Sequence, residues 1–126
     1  MEPGKVIIAP GGQHMTFTGN GRTISAHIGL EPLNTLYRPS ADIMMTSAVE
    51  AIRGPLLGVV MTGMGKDGLE GSRAIKERKG VIVAQDEESC VVYGMPKVVV
   101  EEGLADYCPT LEDIPGTLVK IVGGSI

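Results

Sequence analysis

A chain of 126 residues, 43% of them hydrophobic and 21% charged, carries enough apolar side chains for one buried core and is not a disordered tail. Eleven Lys and Arg against fifteen Asp and Glu leave a net charge of −4, and aromatics are 3% with no Trp. A general binder of nucleic-acid backbones needs a basic surface and a single-strand binder needs stacking platforms, so the sequence argues against both. No apolar run approaches the roughly 18 residues of a membrane span. The start, Met1-Glu2-Pro3-Gly4-Lys5-Val6, lacks the basic and long apolar regions of a secretory signal. The expectation is a soluble, cytoplasmic protein without membrane insertion, with Cys90 and Cys108 as free thiols.

Taken in chain order, Lys5 to Ala9 is a β-branched run stopped by Pro10-Gly11-Gly12 and predicts a buried strand. Met15 to Thr18 and Arg22 to Ala26 flank Gly19-Asn20-Gly21, which predicts a hairpin closed by a type I′ turn at Asn20-Gly21. Residues 29–39 carry no period and read as a long loop. Ser40 offers an N-cap to a helix whose Met44, Ala48, Ala51 and Ile52 share one face and which ends near Arg53-Gly54. Leu56 to Met61 reads as a strand covered on both faces, followed by a glycine-rich turn, a helix to about Lys79, and a second buried strand at Val81 to Ala84. Pro96 begins a short helix with Val98 and Val99 inward and Gly103 at its end. Leu104 to Tyr107 reads as a short strand. Asp113 is positioned to cap a last helix with Pro115 in its first turn and Leu118, Ile121 and Val122 inward. Buried strands alternating with helices predict a doubly wound α/β fold, mainly parallel, with an inserted antiparallel hairpin, in one domain over residues 1–126.

The stretch from Val60 to Gly71 leaves a strand, turns through closely spaced glycines and enters a helix, at the strand edge where doubly wound folds place ligands. Three readings compete for it. In the structural one, Asp67 caps the new helix and Glu70 completes a capping box. In the second, Gly63-x-Gly65-x-x-Gly68 is a dinucleotide fingerprint and Asp86 the ribose-binding acid, although Asp67 would set a negative charge beside the pyrophosphate. In the third, a carboxylate fixed at a strand's end orients a histidine for hydrolysis.

A resemblance then bears on the choice. Ile8-Ala9-Pro10-Gly11-Gly12-x-His14-Met15, Arg38-Pro39-Ser40-x-Asp42 and Thr62-Gly63-Met64-Gly65-x-Asp67-Gly68 occur in order, followed by Ala84-Gln85-Asp86-Glu87-x-Ser89-Cys90-Val91-Val92-x-Gly94-Met95-Pro96 and Leu104-Ala105-Asp106. Together the five blocks resemble the catalytic domain of chemotaxis protein-glutamate methylesterases, over nearly the whole chain. The resemblance implies hydrolysis of glutamate γ-methyl esters on the cytoplasmic helices of chemotaxis receptors, releasing methanol, by a Ser-His-Asp triad with no metal or organic cofactor. It matches Asp67 to the triad acid and Met64, flanked by Gly63 and Gly65, to a site-margin residue whose neighbourhood helps hold the oxyanion. His14 it matches to a histidine near the site, not to the general base.

The family's nucleophilic serine and base histidine lie upstream of the matching region. None of Ser25, Ser40, Ser47, Ser72, Ser89 or Ser125 sits in a Gly-x-Ser-x-Gly elbow. The chain thus resembles about the last two-thirds of the domain, and the expectation is that it is inactive alone and self-associates through sheet edges left without a neighbour. A non-catalytic receptor-docking module is the alternative. Lesser candidates are a thiol site pairing Cys90 with His14 or His27, and metal binding, for which the His and Cys spacings are wrong. The methionines at 44, 45, 61 and 64 read as core filler.

Overall fold

A computed structural model describes residues 1–124; Ser125 lies outside the described residues. Strands β1 (His14–Gly19) and β2 (Ile24–Gly29) pair antiparallel with Gly19 opposite Ile24. The hairpin is as expected, but its turn is not. Residues 20–23 close it as a four-residue loop, and the Asn20 side chain accepts the amides of Arg22 and Thr23, each at 3.0 Å. This side-chain-closed turn needs a positive φ at Gly21 alone, so no type I′ turn forms.

Helix α1 (Ala41–Ala51) starts at Ser40, whose side chain accepts the Ile43 amide, as its apolar spacing predicts. Strand β3 (Leu57–Val60), helix α2 (Leu69–Glu77) and strand β4 (Val81–Ala84) form a parallel β-α-β unit with Leu57 opposite Val81. Helices α3 (Met95–Glu101) and α4 (Ile114–Val122) complete an α/β fold with a small parallel sheet and a separate hairpin. The core lies between β3, β4 and the helices: Met45, Val60, Ile75, Ile82, Ala84 and Val99 form one cluster, the last three fully enclosed. Covering both faces is what a parallel pair requires.

Four expectations are corrected. Lys5 to Ala9 forms no strand, and Val6 and Ile8 are 89% and 84% exposed. Its β-branched residues favour extension, but among the described residues no neighbour offers ladder hydrogen bonds, and an unpaired strand is not stable in water. The strand at 104–107 is reduced to a bridge: Tyr107 pairs with Val83, and the Ala84 amide donates to the Tyr107 carbonyl at 2.9 Å. Asp113 stands before α4, but its side chain makes no capping bond, and Val122 is 79% exposed while Ile114 carries the burial. Of the four methionines Met45 is buried and Met44 half-buried, whereas Met61 and Met64 are exposed.

Asp106 anchors the outer edge of β4. Its Oδ2 accepts the Ile82 amide at 2.8 Å, and Lys76 Nζ donates to both carboxylate oxygens at 2.8 and 3.0 Å. Asp106→Ala leaves the enclosed Ile82 amide unpaired and should cost about 1–3 kcal/mol in urea unfolding. Asp106→Asn, which keeps one acceptor, should cost less; equal stability of all three proteins would contradict the anchoring role.

Candidate active site

Helices α1 and α2 begin side by side, and each is capped by an acid from the other. Asp67, just before α2, accepts the Ala41 amide on Oδ2 at 2.7 Å, and on Oδ1 the Ser40 hydroxyl at 3.0 Å and the Asp42 amide at 2.9 Å. Asp42, in the first turn of α1, accepts on Oδ1 the amides of Gly68 at 2.9 Å and Gly71 at 2.8 Å. Two helix N-termini put two positive dipole ends together, and two carboxylates answer them. At the opposite ends Arg78 donates to the carbonyls of Val49 at 2.6 Å and Ile52 at 3.1 Å, so the helices are parallel and tied at both ends. The local capping box is therefore corrected. The N-cap of α2 is Gly68 with no side-chain cap, and Glu70 lies 3.7 Å from Arg73 instead.

Ser40 joins a third partner to this cluster. His14, 1% exposed, accepts the Ser40 amide on Nδ1 at 3.3 Å, which makes Nε2 the protonated nitrogen facing the Pro32 carbonyl at 3.1 Å. A serine, a histidine and an aspartate thus meet, but not as a triad. The Ser40 hydroxyl donates to the carboxylate rather than to the imidazole, and His14 is too deeply enclosed to meet a substrate. His14 braces the start of α1 from behind, holding the residue that holds Asp67.

Asp67 lies in the wall of a cleft of about 400 Å³ between the loop before α1 and the loop after β3, with Tyr37, Met44, Met64 and Met95 around it. Asp67 and Met64 are therefore brought to one cleft. Gly63 and Gly65 stand in the same loop, and His14 sits behind it. The loop after β3 is firmly built. Gln85, fully buried, accepts the Thr62 amide at 2.8 Å and donates to the Ser89 carbonyl at 2.9 Å, and Gly63 exchanges backbone bonds with Val92, Gly94 and Met95. Gly94 presses so close that a Cβ there would lie 2.6 Å from the Gly63 carbonyl and 3.3 Å from the Met64 Cα. Gly65 and Gly68, with φ of +94° and +100°, turn the chain toward α2.

The rival chemistries fit less well. The amides that would cradle a pyrophosphate are spent, Gly63 on Val92 and Gly68 and Gly71 on Asp42. Asp86 is occupied by the Ser89 amide and hydroxyl, not held out for a ribose. Cys90 directs its thiol at the Gln85 carbonyl, and burial pushes that thiol up, away from thiolate. His14 and His27 are engaged with Thr35 and Thr18. Among the described residues no group of three or more His, Cys, Asp or Glu is placed to hold a metal ion, and no helix is long and apolar enough to cross a membrane.

A parallel β-α-β unit presenting a fixed carboxylate in a cleft at the strands' C-terminal edge defines an α/β protein with its candidate site where such folds place ligands. Residues 1–118 match the model of the CheB methylesterase family, and the chain belongs to that family. It is 43% identical to a protein of Moorella thermoacetica over 99% of this chain and 30% of that protein. It is 43% identical to one of Pyrococcus abyssi over 97% and 33%. Both relatives bear the name protein-glutamate methylesterase/protein-glutamine glutaminase. The fold is similar to the crystal structure of the Thermotoga maritima CheB methylesterase catalytic domain, with a TM-score of 0.83 and 35% identity over 90% of this chain and 60% of that one. The chain spans about a third of the length of the curated relatives it matches.

Sequence reasoning missed the partnership of Asp42 with Asp67 and the place of Tyr37 in the same cleft wall. Asp42 lay in the Arg38-Pro39-Ser40-x-Asp42 block without a role, and Tyr37 in an unpatterned loop. Burial, reinforced by the neighbouring Asp67 charge, pushes Asp42 above the ordinary aspartate value against the lowering effect of the Gly71 and Gly68 amides. The folded chain thus holds a proton on Asp42 more readily than the unfolded one. Ionising Asp42 costs stability, a cost absent below the ordinary aspartate range and incurred as pH rises through the folded value. Asp42→Asn keeps an acceptor and escapes that cost, so it should gain stability relative to wild type as pH rises from below the ordinary aspartate range to neutral. A pH-independent difference in urea unfolding would contradict this. Asp67→Asn turns an amide toward one of three donors and should cost about 1–3 kcal/mol at neutral pH.

Proposed function

We propose that this chain is the acid-bearing, C-terminal portion of a protein-glutamate methylesterase catalytic domain. Such a domain hydrolyses glutamate γ-methyl esters on the cytoplasmic helices of chemotaxis receptors and releases methanol. The observation that carries the reading is the state of the Asp67 carboxylate. Oδ1 holds two donors and Oδ2 one, so Oδ2 keeps a lone pair for an imidazole N–H arriving at the cleft. An ester carbonyl needs an attacking oxygen, a base to take its proton and donors for the tetrahedral oxyanion. In this reading the serine and the base histidine come from the portion of the domain that precedes the matched region. Asp67 holds that histidine in the right tautomer and supports its positive charge, while the Met64–Gly65 backbone flanks the oxyanion. Hydrolysis of a glutamine side chain, named for the relatives, passes through the same kind of intermediate and would use the same groups.

The chain alone is then inactive, because loss of a triad serine or histidine costs about 10⁶-fold in turnover. Assayed for methanol release from methylated receptor peptides, it should give no rate above buffer. Supplied with the preceding portion of a relative's catalytic domain it should turn over, and Asp67→Ala should then remove about 10³–10⁴-fold. Release by the chain alone that disappears in Asp67→Ala would refute the missing-nucleophile reading. A complemented activity indifferent to Asp67→Ala would refute the role of Asp67. Binding to receptor peptides without any turnover would favour a docking module, for which exposed Leu36, Met64 and Val91 offer an apolar surface.

The same reading includes self-association. Among the described residues β3 is paired on one edge only, and the apolar Val6 and Ile8 stand in solvent. A second copy covering that edge should appear as a dimer in sedimentation at micromolar concentration. A well-folded monomer there would contradict it.

A further inference from the structure

We propose that Asp42 is a positioning residue for the Asp67 carboxylate. The inference rests on the reading of Asp67 as the acid of the reaction. Asp67 immediately precedes Gly68, the N-cap of α2, which has no side chain with which to hold the turn. Ser40 and Ala41 donate to the Asp67 carboxylate, but Asp42 adds a closed loop of contacts on both sides of Asp67. The Asp42 amide donates to Asp67 Oδ1 at 2.9 Å, while the Asp42 carboxylate takes the amide of the very next residue, Gly68, at 2.9 Å and that of Gly71 at 2.8 Å. Asp67 is thus gripped from both sides by one residue, through its side chain and through the peptide unit that follows it. The grip sets which oxygen of Asp67 meets Ala41, and so which lone pair remains toward the cleft.

Burial and the neighbouring Asp67 charge make Asp42 harder to ionise, because its ionisation sets two like charges close together. Both line a recess of about 250 Å³ whose other charged or titratable members are Tyr37 and Lys66. His14 stands one residue removed, behind Ser40. Among the described residues no Lys, Arg or His forms an ion pair with either carboxylate; the donors they meet are helix amides and the Ser40 hydroxyl. A cap that only stabilised α2 would touch Gly68 and Gly71 and nothing more. A positioning residue must also be felt at Ala41, whose amide binds Asp67 and not the Asp42 side chain.

Amide NMR on the intact chain separates the two. In wild type, the Ala41, Gly68 and Gly71 amide shifts should titrate with one shared midpoint above the ordinary aspartate range, and Asp42→Asn should abolish that step at all three. In Asp42→Ala, hydrogen exchange should accelerate about tenfold or more at Gly68, Gly71 and also Ala41, with Asp42→Asn restoring protection at Ala41 to within about threefold of wild type. Titration confined to Gly68 and Gly71, or Ala41 protection unchanged in Asp42→Ala, would overturn the proposal. Should Asp42→Ala fail to fold, the pH profiles of wild type and Asp42→Asn decide alone. None of these readouts involves hydrolysis. Failure of the acid role for Asp67 would show in methanol release and leave them unchanged, while failure here leaves that release dependent on Asp67.

Discussion

Two helices that begin side by side bring two positive dipole ends together, and the fold of this chain depends on how that is answered. Each helix lends the other an acid. Asp67 caps α1 from just ahead of the α2 N-cap, and Asp42 caps α2 from the first turn of α1. Arg78 closes the far end by taking the last carbonyls of α1. The exchange fixes the separation and the rotation of the two helices, and through them the β-α-β unit that α2 belongs to. Its cost is visible in Asp42, whose burial beside a second carboxylate resists ionisation.

This arrangement ties structure to chemistry at one atom pair. The Asp67 carboxylate is held in place because it serves as a helix cap. The same three donors that satisfy α1 hold the Asp67 carboxylate in the cleft wall with one lone pair to spare. Ser40 and His14 extend the support, since the histidine accepts the amide of the serine that donates to Asp67. On the other side of the cleft, Gln85 and the close approach of Gly94 keep the Gly63–Gly65 loop in place. Rigid elements thus surround the cleft from both sequence directions, which is what a reaction needing fixed geometry demands.

Much of the architecture was legible because it is local. The spacing of Met44, Ala48 and Ala51 marks α1, and the unbroken apolar runs mark β3 and β4. What failed was what depends on partners far along the chain. Lys5 to Ala9 has a strand's composition, but a strand also needs a neighbour, and composition does not say whether one is present. The turn after β1 contains Asn20-Gly21, yet the Asn20 side chain closes a longer loop instead. Asp67 stands out in its block, but its position before a helix suggests the wrong helix for it to cap. Its true partners lie 25 to 27 residues earlier, beyond any periodic signal. Asp42 stood in plain view inside a matching block, and only its contacts across that gap reveal what it does.

The account stands on Asp42 and Asp67 acting as one unit, and a double-mutant cycle measures that directly. Urea unfolding of wild type, Asp42→Ala, Asp67→Ala and the double variant at neutral pH gives the interaction energy between the two positions. Mutual capping predicts a coupling of about 1 kcal/mol or more, because once one cap is lost the helices shift and the other loses its partners. Additive effects, agreeing within about 0.3–0.5 kcal/mol, would mean two independent caps and would contradict the account.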